Sequence, residues 1–466
     1  MIKTIFLYEW KLLLRNKILL FAVLLFTAIA FVGLNKGVTY HKIQHSEADT
    51  VSAGSQRAYE KLKNKFDTSN FNQPERLDIE GVWAVDWSIW EYAVKAENPL
   101  STIAIGQNDI YSKIKKTRFA TTIFSGEKDE FKNPEQLLTG NLDVTYFMLF
   151  LFPLLFIAIS YNTASADKES GVNKLLATQS GSLKSIINTR VIFKWLISLL
   201  PFLTTIITAY FTIYKYDNFS NVLFLKWLFI ALLYGVFWLT VVLFFIRRGR
   251  SSMINALTLV GIWLLLLVGI PGILNSWFQY KYPSQTQQLI SRLRDEKAKI
   301  YELPLQDHKA FFKAYFPTIK IDPAIFDTSE VQWYSGAVKD LQLEKKVLKT
   351  IAENRNIQAT KEEQLFWINP VGGIMRAFTT ISGSSLQQQQ DFENHLMEFK
   401  QQRADYLITN HTNKKHFDKK DFANMPRYKP ALDSGRPIWK YLLPIMLLIL
   451  LSVLDSLFSR ENEVIK

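Results

Sequence analysis

The sequence contains no cysteine and only six histidines among its 466 residues. The absence of cysteine excludes disulfide bonds, thiolate metal sites and a cysteine nucleophile. Of the histidines, only His41 and His45 stand one helical turn apart. Two ligands alone do not complete a metal site, so we interpret this pair as part of a solvated helix face.

The motifs of nucleotide binding and of hydrolysis are also missing. No stretch fits the phosphate-binding pattern Gly-x-x-x-x-Gly-Lys-Ser/Thr, and the nearest, at residues 181–185, lacks the spacing that lets backbone amides cradle phosphate. Neither the Gly-x-Ser-x-Gly elbow nor the His-Glu-x-x-His helix occurs. We therefore predict that the chain is not an enzyme and does not bind ATP through such a motif.

Apolar residues, in contrast, are abundant. They make up 48% of the chain while charged residues make up 21%, a mixture typical of membrane spans interleaved with wet domains. A helix needs about 20 apolar residues to cross the bilayer core. A single such stretch would also fit a buried soluble helix, but several together favour a membrane protein. The predicted spans are residues 18–34, 144–161, 191–214, 222–246, 253–277 and 438–458.

The positions of Lys and Arg predict the orientation of these spans. Cations dominate the flank before the first span, the connector 162–190 and the short turn 247–250. If six spans alternate, these three segments share one side, which we expect to be the cytoplasm, with both termini and the tail 459–466 there. These flanks account for much of the net charge of +13, so nucleic-acid binding is not predicted.

The amino-terminal flank, residues 1–17, carries apolar residues on one side of a helix and Lys3, Lys11 and Arg15 on another. This pattern predicts an amphipathic helix lying in the membrane interface. A simple cytoplasmic extension of the first span fits the periodicity equally well. The flank is long and contains Glu9, and no small-residue cleavage pattern follows the apolar core, so we expect an uncleaved span rather than a signal peptide.

Two large insertions, residues 35–143 and 278–437, fall on the opposite side of the membrane. The first begins with polar residues at helical spacing, 41–66, which predict a helix rising out of the first span. The second contains three helical patterns, 285–300, 338–354 and 386–408, separated by proline-containing breaks. The expected fold is mainly α, with six transmembrane helices and largely helical extracytoplasmic insertions between spans 1 and 2 and between spans 5 and 6.

The predicted spans carry ionisable residues only near their ends. Secondary transporters and proton pumps usually place Asp, Glu or His inside their spans to carry the coupling ion. If this protein moves a solute, we expect the energy to arrive as a mechanical push on cytoplasmic elements. We expect this push to act on the charged connector between spans 2 and 3. The core of the connector is Asp167, Lys168, Glu169, Ser170 and Gly171, and Leu175 and Leu176 follow it.

This connector resembles that of the permease subunits of type-2 ABC exporters, in which an acidic-basic-Glu-x-Gly core precedes a Leu-rich run. The family usually has Thr where this chain has Val172 and a Pro near Ser180 or Gly181. A narrower resemblance is to a bacterial subgroup with large extracytoplasmic insertions and a domain of unknown function. It rests on further stretches at residues 100–109, 133–140, 367–370 and 392–406.

The resemblance implies a multi-pass permease of the bacterial inner (cytoplasmic) membrane. It implies that two permeases pair, as two copies or as related chains, and that each docks one ABC ATPase subunit. ATP and Mg²⁺ would be bound by that partner ATPase, and this chain would hold no cofactor. Membrane lipid is the other partner implied. The implied ATPase-coupling contacts are Asp167, Lys168, Glu169, Gly171, Leu175 and Leu176, with Gly171 bending the backbone.

Two alternatives from other classes remain compatible with the sequence. A membrane scaffold or sensor with helical extracytoplasmic domains would show the same spans and would need no ATPase partner. A membrane-bound enzyme acting on the outer side would need clustered acid/base or metal-binding residues in the insertions. Outward transport is implied by the resemblance alone.

Overall fold

The computed structural model describes residues 2–68, 86, 88–124, 142–173, 176, 183–216, 218–282, 285–319, 328–413, 419–431 and 436–458. This part of the chain is mainly helical. Two helices contain an internal π-helical turn: α3 comprises Val144–Tyr146, the π-turn Phe147–Leu151 and Phe152–Ser160, and α7 comprises Ser252–Leu264, the π-turn Leu265–Gly269 and Ile270–Lys281. The other elements are α1 (Ile2–Arg15), α2 (Lys17–Thr68), β1 (Glu91–Val94), β2 (Ile114–Thr117), α4 (Ser165–Glu169), α5 (Leu183–Ile213), α6 (Asn221–Ile246), α8 (Thr286–Tyr301), α9 (Leu305–Tyr315), α10 (Thr328–Leu365), α11 (Pro370–Ile381), α12 (Leu386–Asn413), α13 (Lys419–Ala423) and α14 (Trp439–Phe458).

The chain begins with a corner between α1 and α2. Asn16 stands between the two helices, and its side-chain Oδ1 accepts a hydrogen bond from the backbone N–H of Leu19, 3.2 Å away. Helix α2 then runs for 52 residues. At 1.5 Å per residue it is about 78 Å long, more than twice the thickness of a bilayer core. The helix that contains the predicted first span therefore extends well beyond it, through the polar stretch 41–66.

Five helices in the described part of the chain are long and apolar enough to cross a membrane: α2, α3, α5, α6 and α7. Helix α5 begins at Leu183, so the end of the predicted connector 162–190 belongs to this helix. Helix α14 adds another apolar segment and packs against α6 and α11. Many of the large apolar side chains on α2, α7 and α14 are exposed, as expected for surfaces that face lipid or another membrane subunit.

The π-turn of α3 fixes this helix against its neighbours. A π-turn shifts the backbone hydrogen-bond pattern and leaves carbonyl oxygens that can accept from other groups. The Tyr234 hydroxyl of α6 donates to the Leu149 carbonyl at 2.8 Å, and the Trp263 ring nitrogen of α7 donates to the Phe150 carbonyl at 3.0 Å. Both carbonyls lie in the π-turn. In an apolar environment such hydrogen bonds stabilise the packing of the helices, because no water competes for the donors and acceptors.

Helix α11 joins the second insertion to the span helices. Within the predicted insertion 278–437, α11 packs against α6 and α14 and belongs to the same hydrophobic core as the span helices. The rings of Phe378 and Trp227 lie 5.0 Å apart. This helix has 12 residues and is too short to span a bilayer, so its packing against α6 and α14 could not be predicted from its length and composition.

The first insertion contains a short β-hairpin in addition to helix. After α2, strands β1 and β2 form an antiparallel pair in which Glu91 lies opposite Thr117 and Val94 opposite Ile114. The strands have only four residues each, so their alternation is too short to stand out from the surrounding sequence. The hairpin is thus a non-helical part of an insertion that was predicted to be largely helical.

A second hydrophobic core forms around the hairpin, α9, α10 and α12. The far end of α2 joins it, since Tyr59 stacks on Phe422 with ring centroids 4.6 Å apart. Its centre holds the carboxylate of Glu344, which lies 3.2 Å from the Lys400 ammonium and 3.5 Å from the Lys297 ammonium. Burial alone raises the pKa of Glu344, but these cations and the hydrogen bonds to its oxygens outweigh burial and bring the pKa below its usual value.

The contact between α11 and α14 depends on Gly373. A Cβ atom at this position would lie 2.4 Å from the backbone carbonyl oxygen of Tyr441, which cannot rotate away. We expect Gly373→Ala to lower the free energy of unfolding by about 1–3 kcal/mol, because the helices would have to separate. Thermal denaturation of the purified protein in detergent measures this change.

The neighbouring Gly372→Ala is a matched control. Its Cβ would meet the edge of the Phe366 ring at 3.4 Å and the Asn369 Nδ2 atom at 3.8 Å, which are ordinary contacts. Since Ala is favoured over Gly in helices by about 1 kcal/mol, we expect Gly372→Ala to be neutral or mildly stabilising. Equal effects of the two substitutions would show that the close approach at Gly373 does not limit stability.

Candidate coupling site

The connector between α3 and α5 contains the short helix α4, which ends in a defined C-terminal turn. The backbone N–H of Val172 donates to the Asp167 carbonyl at 2.9 Å, and that of Gly171 donates to the Lys168 carbonyl at 3.1 Å. This bond pair is a Schellman motif, and it requires a left-handed residue after the helix. Gly171 supplies it with φ of +75°, so the chain reverses sharply behind Glu169.

An arginine links this connector to two other elements. Arg190, in the first turns of α5, lies with Nε 3.1 Å from the Glu9 Oε1 atom of α1. Its Nη1 also donates to the Asp167 carboxylate of α4. One guanidinium therefore bridges two carboxylates that are far apart in sequence, a task suited to its several N–H groups in a fixed fork. Helices α1, α4 and α5 meet at this cluster, called here the Arg190 bridge.

Aromatic packing supports the Arg190 bridge from the side of α1. Phe6 and Trp10 both contact the ring of Phe193, edge to face, with centroids 5.3 and 6.5 Å apart. Glu9 lies between them in sequence and is only 6% exposed. A buried carboxylate is costly unless it is paired, so the position of α1 on α5 depends on Arg190 as well as on the aromatic contacts.

Lys168 and Glu169 point toward the turn between α6 and α7. The Lys168 ammonium donates to the Gly249 carbonyl at 3.1 Å. The Glu169 carboxylate accepts from the backbone N–H of Ser252 at 2.8 Å and from the Ser252 hydroxyl at 3.0 Å. Because Ser252 is the first residue of α7, Glu169 stabilises the positive end of that helix. The connector is thereby attached to a fourth element.

The exposed end of the connector is formed by the turn that follows α4. Ser170, Gly171 and Val172 are all solvent-exposed, and the apolar side chain of Val172 is 39% exposed. Leu176 donates its backbone N–H to the Val172 carbonyl at 3.0 Å. Leu175, predicted as a contact residue, lies outside the described residues.

The structure thus brings Asp167, Lys168 and Glu169 together, but each also contacts another part of the same chain. Sequence reasoning identified these three residues and missed the pairing of Glu9 with Arg190. The available signals were separate: Glu9 is the one acid in the otherwise basic flank 1–17, and Arg190 ends the predicted connector. The connector therefore makes more specific contacts than a simple solvated loop would make.

Comparison with known protein families decides the class. The sequence matches the family model of the ABC-2 family transporter proteins over residues 3–462. The chain belongs to the ABC-2 transporter family. Comparisons of this ABC-2 chain with curated proteins and with solved structures found no match.

Family membership makes this ABC-2 protein a component of membrane transport that works with an ABC ATPase subunit. It agrees with the several apolar helices of the structure, which make the protein a multi-pass membrane protein. The resemblance to type-2 ABC permeases is therefore confirmed over nearly the whole ABC-2 chain. The Arg190 bridge and the connector are therefore parts of a transport protein.

The Arg190 bridge gives a direct prediction about stability. We expect Arg190→Gln to lower the free energy of unfolding by about 3 kcal/mol, because it leaves the Glu9 carboxylate buried without its cation. Adding Glu9→Gln should restore part of this loss, since the unpaired charge is then removed. Denaturation of the two single variants and the double variant in detergent measures the coupling.

Lys11→Gln, which removes an exposed cation from the same helix α1, is the control and should leave stability within about 0.5 kcal/mol of the original. Strictly additive losses for Glu9→Gln and Arg190→Gln would mean that the two side chains do not stabilise each other.

Proposed function

We propose that this protein is the membrane-spanning permease subunit of an ATP-driven exporter. In this proposal two permeases, either two copies or two related chains, form the translocation path, and each docks an ABC ATPase. The observation that carries the proposal is the Arg190 bridge, which joins α1 and the connector to the first turns of a span helix. Family membership supplies the ATPase partner.

The proposed topology has six spans in α2, α3, α5, α6, α7 and α14, within the bacterial inner membrane. The basic segments that flank these helices favour a cytoplasmic position for α1, the connector and the α6–α7 turn. Contacts among these three elements support that arrangement, because segments that touch must lie on the same side of a bilayer. The hairpin and helices α8–α10 and α12 then lie outside.

Energy would enter as movement of the connector. Helix α4 is joined to α5 through Asp167 and Arg190, and to α7 through Glu169 and Ser252. Breaking these contacts costs more than bending a free loop, so a push on α4 displaces the attached helix ends together. This is the property that a coupling helix needs: a short element, exposed on one side and tied to several spans on the other.

The exposed turn is the proposed docking surface for the ATPase. Lys168 and Glu169 already contact the α6–α7 turn, so we assign them the role of holding the connector while their exposed edges meet the ATPase. Val172 supplies an apolar contact at the end of the connector, and Gly171 keeps the backbone in the shape that presents it. Leu175 and Leu176 are retained as further proposed contacts.

Val172→Glu tests this surface. A new carboxylate would have to be buried against the ATPase without a partner, so we expect ATPase hydrolysis stimulated by the reconstituted permease to fall by about tenfold or more. The thermal stability of the permease alone should hardly change, because the position is exposed.

Ile357→Glu places the same charge at a similarly exposed apolar position on α10 and should leave stimulation unchanged. Glu169→Gln should lower stimulation and weaken the attachment of α4 to α7 as well. Normal stimulation in both Val172→Glu and Glu169→Gln would contradict the proposed coupling surface. A chain that assembles with no ATPase would favour a scaffold or sensor instead.

A further inference from the structure

A cavity of about 880 Å³ lies beside the Arg190 bridge, between α1, α2, α3 and α5. Its deeper walls are apolar and include Ala22 and Phe26 of α2, Leu155 and Ile159 of α3 and Ile197 of α5. Its other end is polar. This polar end is lined by Glu9, Arg15, Asn16, Tyr161, Asn162 and Lys194.

The polar residues collect at one end because neighbouring helices run in opposite directions. Arg15 and Asn16 precede α2, Tyr161 and Asn162 follow α3, and Lys194 lies in the early turns of α5. From Asn16 to Phe26, α2 rises about 15 Å, and from Leu155 to Asn162 the chain of α3 covers about 10 Å. The cavity thus reaches from the basic side of the membrane about as deep as one leaflet of a bilayer core.

Two cations at the polar end, Lys194 and Arg15, can bind an anionic ligand. The Lys194 ammonium donates to the Thr163 hydroxyl at 3.0 Å, and no carboxylate among the described residues lies within 4.0 Å of it. A lysine ammonium has three hydrogens, so two are left for another acceptor. Arg15 is exposed and forms no ion pair within the described part of the chain. The Glu9 carboxylate faces Arg190, which limits its repulsion of an anion.

We propose that this cavity binds an anionic phospholipid, with its phosphate at Lys194 and Arg15 and an acyl chain along Phe26, Leu155 and Ile159. Charge complementarity selects the anionic head group, and basic pockets between helices on the cytoplasmic side of membranes are suited to such lipids. The apolar depth matches an acyl chain that enters from the leaflet. This inference goes beyond the proposed ATPase coupling and does not depend on it.

Native mass spectrometry of the full-length protein in detergent tests the site, with phosphatidylglycerol and phosphatidylcholine of identical acyl chains as probes. We expect phosphatidylglycerol to bind at least about fivefold more tightly. Lys194→Met and Arg15→Gln should each weaken it by about fivefold, since a cation near an anionic lipid contributes that much. Phosphatidylcholine should bind equally to all three proteins.

Lys17→Gln is the matched control, because Lys17 follows Asn16 directly, is exposed and does not line the cavity. Its affinity for phosphatidylglycerol should stay within about twofold of the original protein's. If Lys194→Met disturbs folding because the hydrogen bond to Thr163 is lost, Arg15→Gln alone tests the proposal.

Three outcomes would overturn the proposal. Equal binding of the two lipids would indicate ordinary annular lipid. If Lys17→Gln and Arg15→Gln weakened phosphatidylglycerol binding equally, the lipid would be attracted by the general positive charge of the surface and not by the cavity. Phosphatidylglycerol bound by monomers and absent from dimers would indicate that a second copy of the chain fills the cavity.

Discussion

The arrangement of α1, α4 and α5 depends on the guanidinium of Arg190. Glu9 and Asp167 lie far apart in the sequence, and the same side chain contacts both. A charge that is mostly removed from water is unfavourable unless its partners are well placed, so separating Arg190 from Glu9 or Asp167 would be costly. That arrangement fixes where α1 lies and where the connector begins. A lysine would offer a point charge without the planar fork that serves two carboxylates.

Inside the apolar region the governing constraint is the satisfaction of backbone groups. The π-turn of α3 offers the Leu149 and Phe150 carbonyls to Tyr234 and Trp263, from two different helices. Trp195 of α5 donates in the same way to the Gly235 carbonyl of α6 at 2.9 Å. These bonds are directional, whereas apolar packing against lipid-like surroundings is not. They relate α3, α5, α6 and α7 to one another, so the proposed movement of the connector would act on an ordered group of helices.

The sequence was sufficient for features that depend on local patterns. Apolar runs marked the helices, and the basic residues around them marked the connector, because both signals lie within a few turns of chain. Strands β1 and β2 were too short for their alternation to be recognised, and α11 was too short to resemble a span. The pairing of Glu9 with Arg190 could not be read locally, since it depends on how α1 folds back onto α5. The same limit applied to Glu169, whose carboxylate could not be assigned to Ser252 before the fold was known.

The Arg190 bridge and the proposed lipid cavity both involve helices α1 and α5, and this has a thermodynamic consequence. A displacement of α1 relative to α5 would change the Arg190 bridge and the width of the cavity together. A lipid that binds one arrangement more tightly would therefore favour it, and by linkage an ATPase state that favours the same arrangement would increase lipid affinity by the same factor. A lipid with equal affinity for both arrangements would have no such effect, however tightly it bound. The sign of the coupling is then set by whether Lys194 and Arg15 approach or separate as the connector moves.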